Sequence, residues 1–213
     1  FLVGYFYFSG FKEIYQQTKE QLIKILVGLD VERTIQNEIR EVNELRTIAN
    51  NNSDKDIRDN FIKNHINLVN HIPYFDTPEY IEAWNMFVLK IKNNTLEIRK
   101  TRDPNHAKLY IFTNKPEFSQ NGEFLGTVIT GSSNLSISGL RDRAEIDVSL
   151  RDSHDYQDAK SIFNNLWDNS VPITTGGESD LFINAVKKNT WLGTVQMPPT
   201  PYLMYVRVLD EYF

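Results

Sequence analysis

The chain has 213 residues, of which 40% are hydrophobic and 24% are charged, and it contains no cysteine. This apolar content is typical of a globular chain with a packed core, and the length suits a single domain. The lack of cysteine excludes disulfide scaffolds, thiolate zinc sites and cysteine nucleophiles. The net charge of −5 argues against a globally basic nucleic-acid wrapper, so any site for a polyanion must be local.

The sequence also carries information on membrane association and cellular location. No apolar run approaches the ~18 residues that a membrane-spanning helix needs. The aromatic stretch at residues 1–8 lacks the basic region of a secretory signal. We therefore expect a cytoplasmic protein with no membrane partner. Because the chain starts without methionine and both ends are apolar, we also expect one domain of a longer protein, with a terminal helix over 198–213 leading into a missing downstream region.

The first elements in chain order form a strand–helix–strand unit. Residues 2–8 are aromatic and β-branched, which predicts a buried strand. A helix from about 11 to 21 and a short strand over 23–28 follow. A unit of this size predicts two parallel strands joined by a helix that covers them.

From residue 30 to 93 the apolar residues recur at helical spacing, which predicts a helical insertion on an α/β core. Ser53 or Asp54 can cap a helix that runs to Ile72 and ends at Pro73, and Thr77-Pro78 opens the next helix. The sequence does not say whether this block is a dimer interface or a target-recognition arm.

Four strand-like runs follow, at 95–101, 107–113, 124–130 and 145–150. The apolar run at 107–113 predicts a strand covered on both faces, and 145–150 predicts another buried strand. Helices are expected over 156–169 and near 178–189. The whole pattern predicts one α/β domain over 1–213, with a mixed, largely parallel β-sheet flanked by helices and the 30–93 insertion within it.

Of the four histidines, His106 has the most informative context, because Lys108 follows it two residues later at the start of a strand. Strand periodicity places both side chains on one face. An imidazole beside an ammonium can bind phosphate oxygens, and the ammonium favours the neutral, nucleophilic imidazole. The other three histidines fit packing or capping roles, and a His-x-Lys pair alone is a weak signal.

Two later segments add polar groups at strand ends. Gly131-Ser132-Ser133-Asn134 follows a strand, so Ser132 and Asn134 can act as donors on one face, although such residues are also typical of plain turns. Glu145 opens the next strand. Its carboxylate could orient an imidazole, or it could be an ordinary strand-edge residue.

The order His106-x-Lys108, Gly131-Ser132-x-Asn134 and then Glu145 resembles the phospholipase D superfamily. The segments 4–10 and 25–28 also resemble that family's first strand–helix–strand unit. The resemblance implies phosphodiester chemistry in which His106 attacks phosphorus and forms a phosphohistidine. Lys108, Ser132 and Asn134 would bind the non-bridging oxygens, Glu145 would orient His106, and no metal or other cofactor would be needed.

Two features depart from the family pattern or qualify it. Thr113 stands where the family usually has an aspartate, which leaves open whether activity is impaired. The chain also has a single His-x-Lys motif, and the family's single-motif members form homodimers in which two such pairs meet. The resemblance therefore implies a homodimer with a shared site on a two-fold axis.

The surrounding charge favours a nucleic-acid substrate, DNA or RNA. Residues 90–115 carry seven Lys or Arg against two acids, a local charge of +5. We predict that Arg99, Lys100, Arg102 and Lys115 bind a phosphate backbone, although a solvated strand face can carry the same charges. The overall pattern, with the turn at 198–201, resembles phospholipase D-like domains fused to bacterial superfamily 2 helicases. It implies a nuclease with a fused helicase domain in a restriction or repair protein.

Two other functions stay open at this point. The domain could be a catalytically inactive DNA-binding or dimerisation module of a helicase, for which the altered Thr113 is the main argument. It could also be a phospholipase, although the sequence has no basic amphipathic helix of the kind that docks on a bilayer.

Overall fold

The structure is a computed structural model that describes residues 1–29, 53–71, 77–119, 124–136, 140, 145–190, 192, 205 and 208–209. The strands are β1 (Leu2–Val3), β2 (Ile23–Val27), β3 (Leu96–Lys100), β4 (Leu109–Thr113), β5 (Gly126–Gly131), β6 (Asp147–Leu150) and β7 (Val171–Pro172). The helices are α1 (Phe8–Ile14), α2 (Asp54–His71), α3 (Pro78–Lys92), α4 (Ser153–Asp168) and α5 (Glu178–Asn189), with a 3₁₀ turn at Pro116–Phe118.

The described strands form one mixed sheet in the order β6-β5-β4-β1-β2-β3-β7. The expectation of an α/β fold with a mixed sheet is confirmed, but "largely parallel" is wrong. β1–β2 and β2–β3 are parallel pairs, whereas the other four pairs are antiparallel. Parallel pairing needs a crossover, and the helical connections between β1, β2 and β3 provide one.

The first unit differs from its prediction in where the strand stops. The strand covers only Leu2–Val3, and the helix already begins at Phe8 rather than near 11. The chain leaves the sheet at Gly4 and runs alongside Leu135, with a parallel bridge from Phe6 and a 3.2 Å hydrogen bond from the Tyr7 N–H to the Leu135 carbonyl. Tertiary pairing with a distant turn therefore overrides the local strand propensity of residues 4–8.

Two of the helices expected in the 30–93 block are present, and residues 30–52 lie outside the described part. Helix α2 ends one residue before the predicted Ile72, and α3 begins at Pro78 after an extended Thr77, as predicted. Helix α3 packs against α1 through an aromatic cluster in which Phe87 lies 5.1 Å from Phe11 between ring centroids. The block thus supplies the connection from β2 to β3 and part of the main core.

Helices cover both faces of the central strands. Val3, Ile25 and Val27 belong to the core cluster that contains α1 and α3 residues. Leu2 and Leu26 point to the other face and pack with Phe163 and Trp167 of α4. Because helices cover both faces of β1 and β2, the residues that alternate between the two faces are apolar on each side.

The outer strands are less buried than the sequence predicts. Phe112 in β4 is 45% exposed, and Asp147, Val148 and Ser149 of β6 are all exposed, so both burial predictions are wrong. Strand β6 is exposed because it lies at the sheet edge, next to β5 alone.

The helices predicted over 156–169 and 178–189 correspond to α4 and α5, whereas the one predicted over 198–213 lies almost wholly outside the described residues. No helix in the described part is both long and apolar enough to cross a membrane.

Candidate active site

Strand direction brings the predicted site residues to one edge of the sheet. The parallel strands β1, β2 and β3 end at this edge, and the antiparallel pairing makes β4 begin, β5 end and β6 begin there. Residues 4–5, 106–108, 132–134 and 145–147 therefore meet at the carboxyl ends of the parallel strands. In open α/β sheets this is the edge at which ligands bind.

His106 and Lys108 lie together just before β4, as the motif predicts. The Lys108 ammonium donates to His106 Nδ1 at 2.7 Å and to the His106 carbonyl oxygen at 2.8 Å. His106 is exposed, whereas Lys108 is 7% exposed. The Lys108 ammonium also lies 3.4 Å from His106 Nε2, so it is near both ring nitrogens. The contact places a positive charge directly beside the imidazole.

Asn134 reaches the same place from the end of β5. Its Oδ1 accepts a 3.1 Å hydrogen bond from the backbone N–H of Tyr5. A Cβ atom on Gly4 would lie 3.2 Å from Asn134 Oδ1 and 3.6 Å from both His106 Cδ2 and Lys108 Nζ. Gly4 therefore lies directly beneath the point at which the imidazole, the ammonium and the carboxamide converge. The Tyr5 ring adds a wall, edge-on to His106 at 5.9 Å between centroids.

Ser132 and Glu145 are also brought together. The Ser132 hydroxyl donates to Glu145 Oε2, and Ser132 Oγ accepts a 3.2 Å hydrogen bond from the Ile146 N–H. This contact ties the carboxylate to the predicted oxygen-binding turn. A direct contact from Glu145 to the imidazole of His106 stays a prediction.

The sequence reasoning missed a second layer under this turn. Asp147 accepts hydrogen bonds from both the N–H and the hydroxyl of Ser133, and the Tyr110 hydroxyl donates to the Ser133 carbonyl at 2.8 Å. Burial, and then the negative charges of Asp147 and Glu145, raise the pKa of Tyr110, so its hydroxyl stays a donor. The signal that could have found Asp147 is its period-two spacing from Glu145.

A comparison with protein families decides the classification. The family model described as "Cardiolipin synthase, PLD-like domain" matches residues 16–167, which is most of the chain. The chain belongs to the phospholipase D superfamily. The matched stretch includes every predicted catalytic residue from His106 to Glu145, whereas Gly4 and Tyr5 precede it. No curated protein matches the chain.

The departure from the phospholipase D pattern at Thr113 lies away from this edge. Thr113 ends β4, four residues beyond Leu109, which is roughly 14 Å along an extended strand. Its hydroxyl hydrogen-bonds the Tyr156 hydroxyl at 2.7 Å. The position thus links β4 to α4, and the missing aspartate removes no group from the end of the strand that holds His106 and Lys108.

The four predicted nucleic-acid-binding residues have different surroundings. Arg99 lies over the Trp167 ring at 4.8 Å, and Lys100, only 7% exposed, donates to the Gly28 carbonyl at 3.1 Å. Arg102 pairs with Asp54, whereas the Lys115 side chain is 70% exposed. Three of the four therefore already contact other groups of the protein, and nucleic-acid binding by this set stays a prediction.

Proposed function

We propose that this protein is a phosphodiesterase that cleaves nucleic acid without a metal ion, through a phosphohistidine on His106, in a site completed by a second copy of the chain. The observation that carries the proposal is the convergence of the His106 imidazole, the Lys108 ammonium and the Asn134 carboxamide above Gly4. These groups supply a nucleophile, a fixed positive charge and a neutral donor. They surround a space that stays open because residue 4 is glycine and has no side chain.

The chemistry takes two displacements. A ring nitrogen of His106 attacks phosphorus, so an N–P bond forms and the P–O bond to the leaving group breaks, with the leaving oxygen taking a proton from a second imidazolium. Water then attacks the phosphohistidine and gives its proton back to that second imidazole, while the N–P bond breaks. Lys108 and Asn134 donate to the non-bridging oxygens, where the negative charge is concentrated in both transition states.

The second imidazole is the reason for proposing a dimer. Among the histidines whose side chains the structure describes, His65 is buried beside Phe61 and His154 follows the far end of β6. Neither can protonate a leaving group at the edge that holds His106. A two-fold axis at the site would bring in the His106 of a second copy.

Two features support nucleic acid as the substrate. The Tyr5 ring lies beside His106, and the Tyr7 ring lies 6.4 Å from that of Tyr5. Aromatic side chains next to a phosphate site suit a polymer whose bases can stack. Lys115 lies beyond the far end of β4, 3.9 Å from Glu117, so it would add a charge for a polymer that runs along the strand to that end. We further propose that this domain works in the cytoplasm within a helicase- or restriction-type protein.

The decisive experiment compares the wild type with His106→Ala on labelled single- and double-stranded DNA and RNA in the presence of EDTA. We expect EDTA-resistant cleavage that the substitution lowers at least ~1,000-fold, and an acid-labile phosphoryl group on the wild-type protein. His154→Ala, at an exposed position away from the site, is the matched control.

The other outcomes are informative. Equal cleavage by His106→Ala and wild type would refute the assignment. Binding of DNA without cleavage under any condition would favour an inactive DNA-binding module, and headgroup release from phospholipid vesicles would favour a lipid substrate. If the wild type is mixed with an excess of His106→Ala, a shared site predicts that cleavage falls with the square of the wild-type fraction.

A further inference from the structure

The two residues that follow β1 lie outside the matched family stretch, yet they contact the site directly. The backbone N–H of Tyr5 is 3.1 Å from Asn134 Oδ1, although 129 residues separate the two in sequence. We infer that Gly4-Tyr5 is a positioning element, in which the Tyr5 N–H fixes the orientation of the Asn134 carboxamide and Gly4 keeps open the space for a phosphate oxygen. This inference rests on the proposed phosphodiesterase function.

The orientation of the carboxamide matters because its two ends have opposite roles. The oxygen can only accept, and the amino group can only donate. With Oδ1 on the Tyr5 N–H, Asn134 has its amino group to offer to an anion. In the flipped orientation two donors would face each other at Tyr5, and the carboxamide oxygen would repel a phosphate oxygen. One fixed backbone donor thus selects the orientation that binds phosphate.

Gly4 matters because of the atoms above it. An added Cβ would come within 3.2 Å of Asn134 Oδ1, closer than most side-chain contacts, and would fill the space next to His106 and Lys108. The backbone of Gly4 does not have a left-handed φ, so alanine fits without backbone strain. At Gly10, by contrast, a Cβ would lie 2.3 Å from the Leu135 carbonyl oxygen. Substitution of Gly4 therefore tests the site rather than the fold.

The segment is also anchored so that it can act as a reference for Asn134. Phe6 forms a parallel bridge with Leu135, the residue after Asn134, and is 2% exposed. Its ring stacks on His65 and on Phe87. Residues 4–7 are thus fixed both to the core and to the turn that carries the carboxamide.

The test uses the full chain. It measures kcat and KM on the oligonucleotide that is cleaved fastest in the DNA and RNA assay, and it measures thermal stability separately. We expect Gly4→Ala to lower kcat at least ~10-fold, because misplaced groups at a reacting centre cost that much or more, with little change in Tm. Gly177→Ala is the matched control, since its Cβ would meet no atom within 4 Å. In an Asn134→Ala background, Gly4→Ala should lower kcat by a smaller factor than in the wild type, because the contact with Asn134 Oδ1 is gone, whereas a merely structural role would give the same loss in both backgrounds.

A second variant keeps the inference testable if Gly4→Ala folds poorly. Asn134→Asp keeps an oxygen for the Tyr5 N–H and loses the amino donor, so we expect kcat to fall at least as far as with Asn134→Ala. Wild-type kcat in a folded Gly4→Ala while His106→Ala is inactive would overturn this inference alone. Wild-type kcat in Asn134→Asp would overturn it together with the proposed role of Asn134 as a donor. Full activity of His106→Ala would instead overturn the proposed function.

Discussion

Protonation of His65 is expected to destabilise the fold as the pH falls below 6.5. The imidazole is buried in helix α2, stacked on Phe61 at 4.2 Å and on Phe6 at 5.7 Å between ring centroids. Its Nδ1 lies 3.0 Å from the Phe61 carbonyl, and its Nε2 has no hydrogen-bond partner among the described residues. Burial lowers the pKa of His65 from 6.5 to about 4, so the surroundings favour the neutral ring.

This difference in pKa sets the direction and the size of the pH effect on the free energy of unfolding. Between pH 6.5 and pH 4 the unfolded chain binds a proton at this position and the folded protein does not. The stabilisation is therefore complete above pH 6.5 and is lost as the pH falls towards 4. At about 1.36 kcal/mol per pH unit, the gap between 6.5 and about 4 corresponds to about 3 kcal/mol of unfolding free energy.

The assay is urea denaturation followed by tryptophan fluorescence at several pH values between 7.5 and 4, for the wild type and His65→Phe. The carboxylates titrate in both proteins, so the difference between the two curves isolates residue 65. We expect the wild type to lose about 3 kcal/mol relative to the variant over this range. His154→Gln, at an exposed histidine, should run parallel to the wild type. Parallel curves for His65→Phe as well would refute the reasoning.

Two further predictions concern contacts that join a helix to another part of the fold. The buried Lys90 ammonium donates to three backbone carbonyls after α1, at 2.9, 3.1 and 2.7 Å, so Lys90→Met should cost about 2–3 kcal/mol in urea denaturation. The exposed Lys92→Met on the same helix should cost less than about 0.5 kcal/mol, and equal losses would contradict this account. Thr113→Val should cost about 1 kcal/mol by losing the bond to Tyr156 and leave cleavage unchanged; a large fall in kcat would place Thr113 in the catalytic machinery.

The elements that the sequence predicts well are those with local signals. Pro78 after Thr77 marks the start of α3, and Asp54 lies at the start of α2. Strand order and direction have no such signal, because they depend on which distant strands pair. The position of β1 beside β4 and the early end of β1 at Val3 both depend on pairing across more than 100 residues, whereas β4, β5 and β6 each pair antiparallel with the strand next to them in sequence.

The same distinction separates the predicted site residues from the missed ones. His106 and Lys108, like Ser132 and Asn134, fall within short motifs, and their meeting at one edge follows once the strands are placed. The role of Tyr5 could not be predicted from the sequence, because it is a backbone N–H and any residue except proline offers one. The interaction becomes visible only when β1 is paired between β4 and β2.

The contacts in the structure reduce the number of cations near the site that are available to bind phosphate. A count of +5 over residues 90–115 treats all cations as available to a phosphate backbone. Lys90 and Lys100 instead donate to backbone carbonyls inside the protein, and Arg99 lies on Trp167. Cations that already satisfy internal acceptors would have to break those contacts to bind phosphate. Under the proposed function, the cation best placed to bind a phosphodiester is therefore Lys108, held beside His106, and contacts with the rest of the polymer would rely more on the Tyr5 and Tyr7 rings than on a basic band.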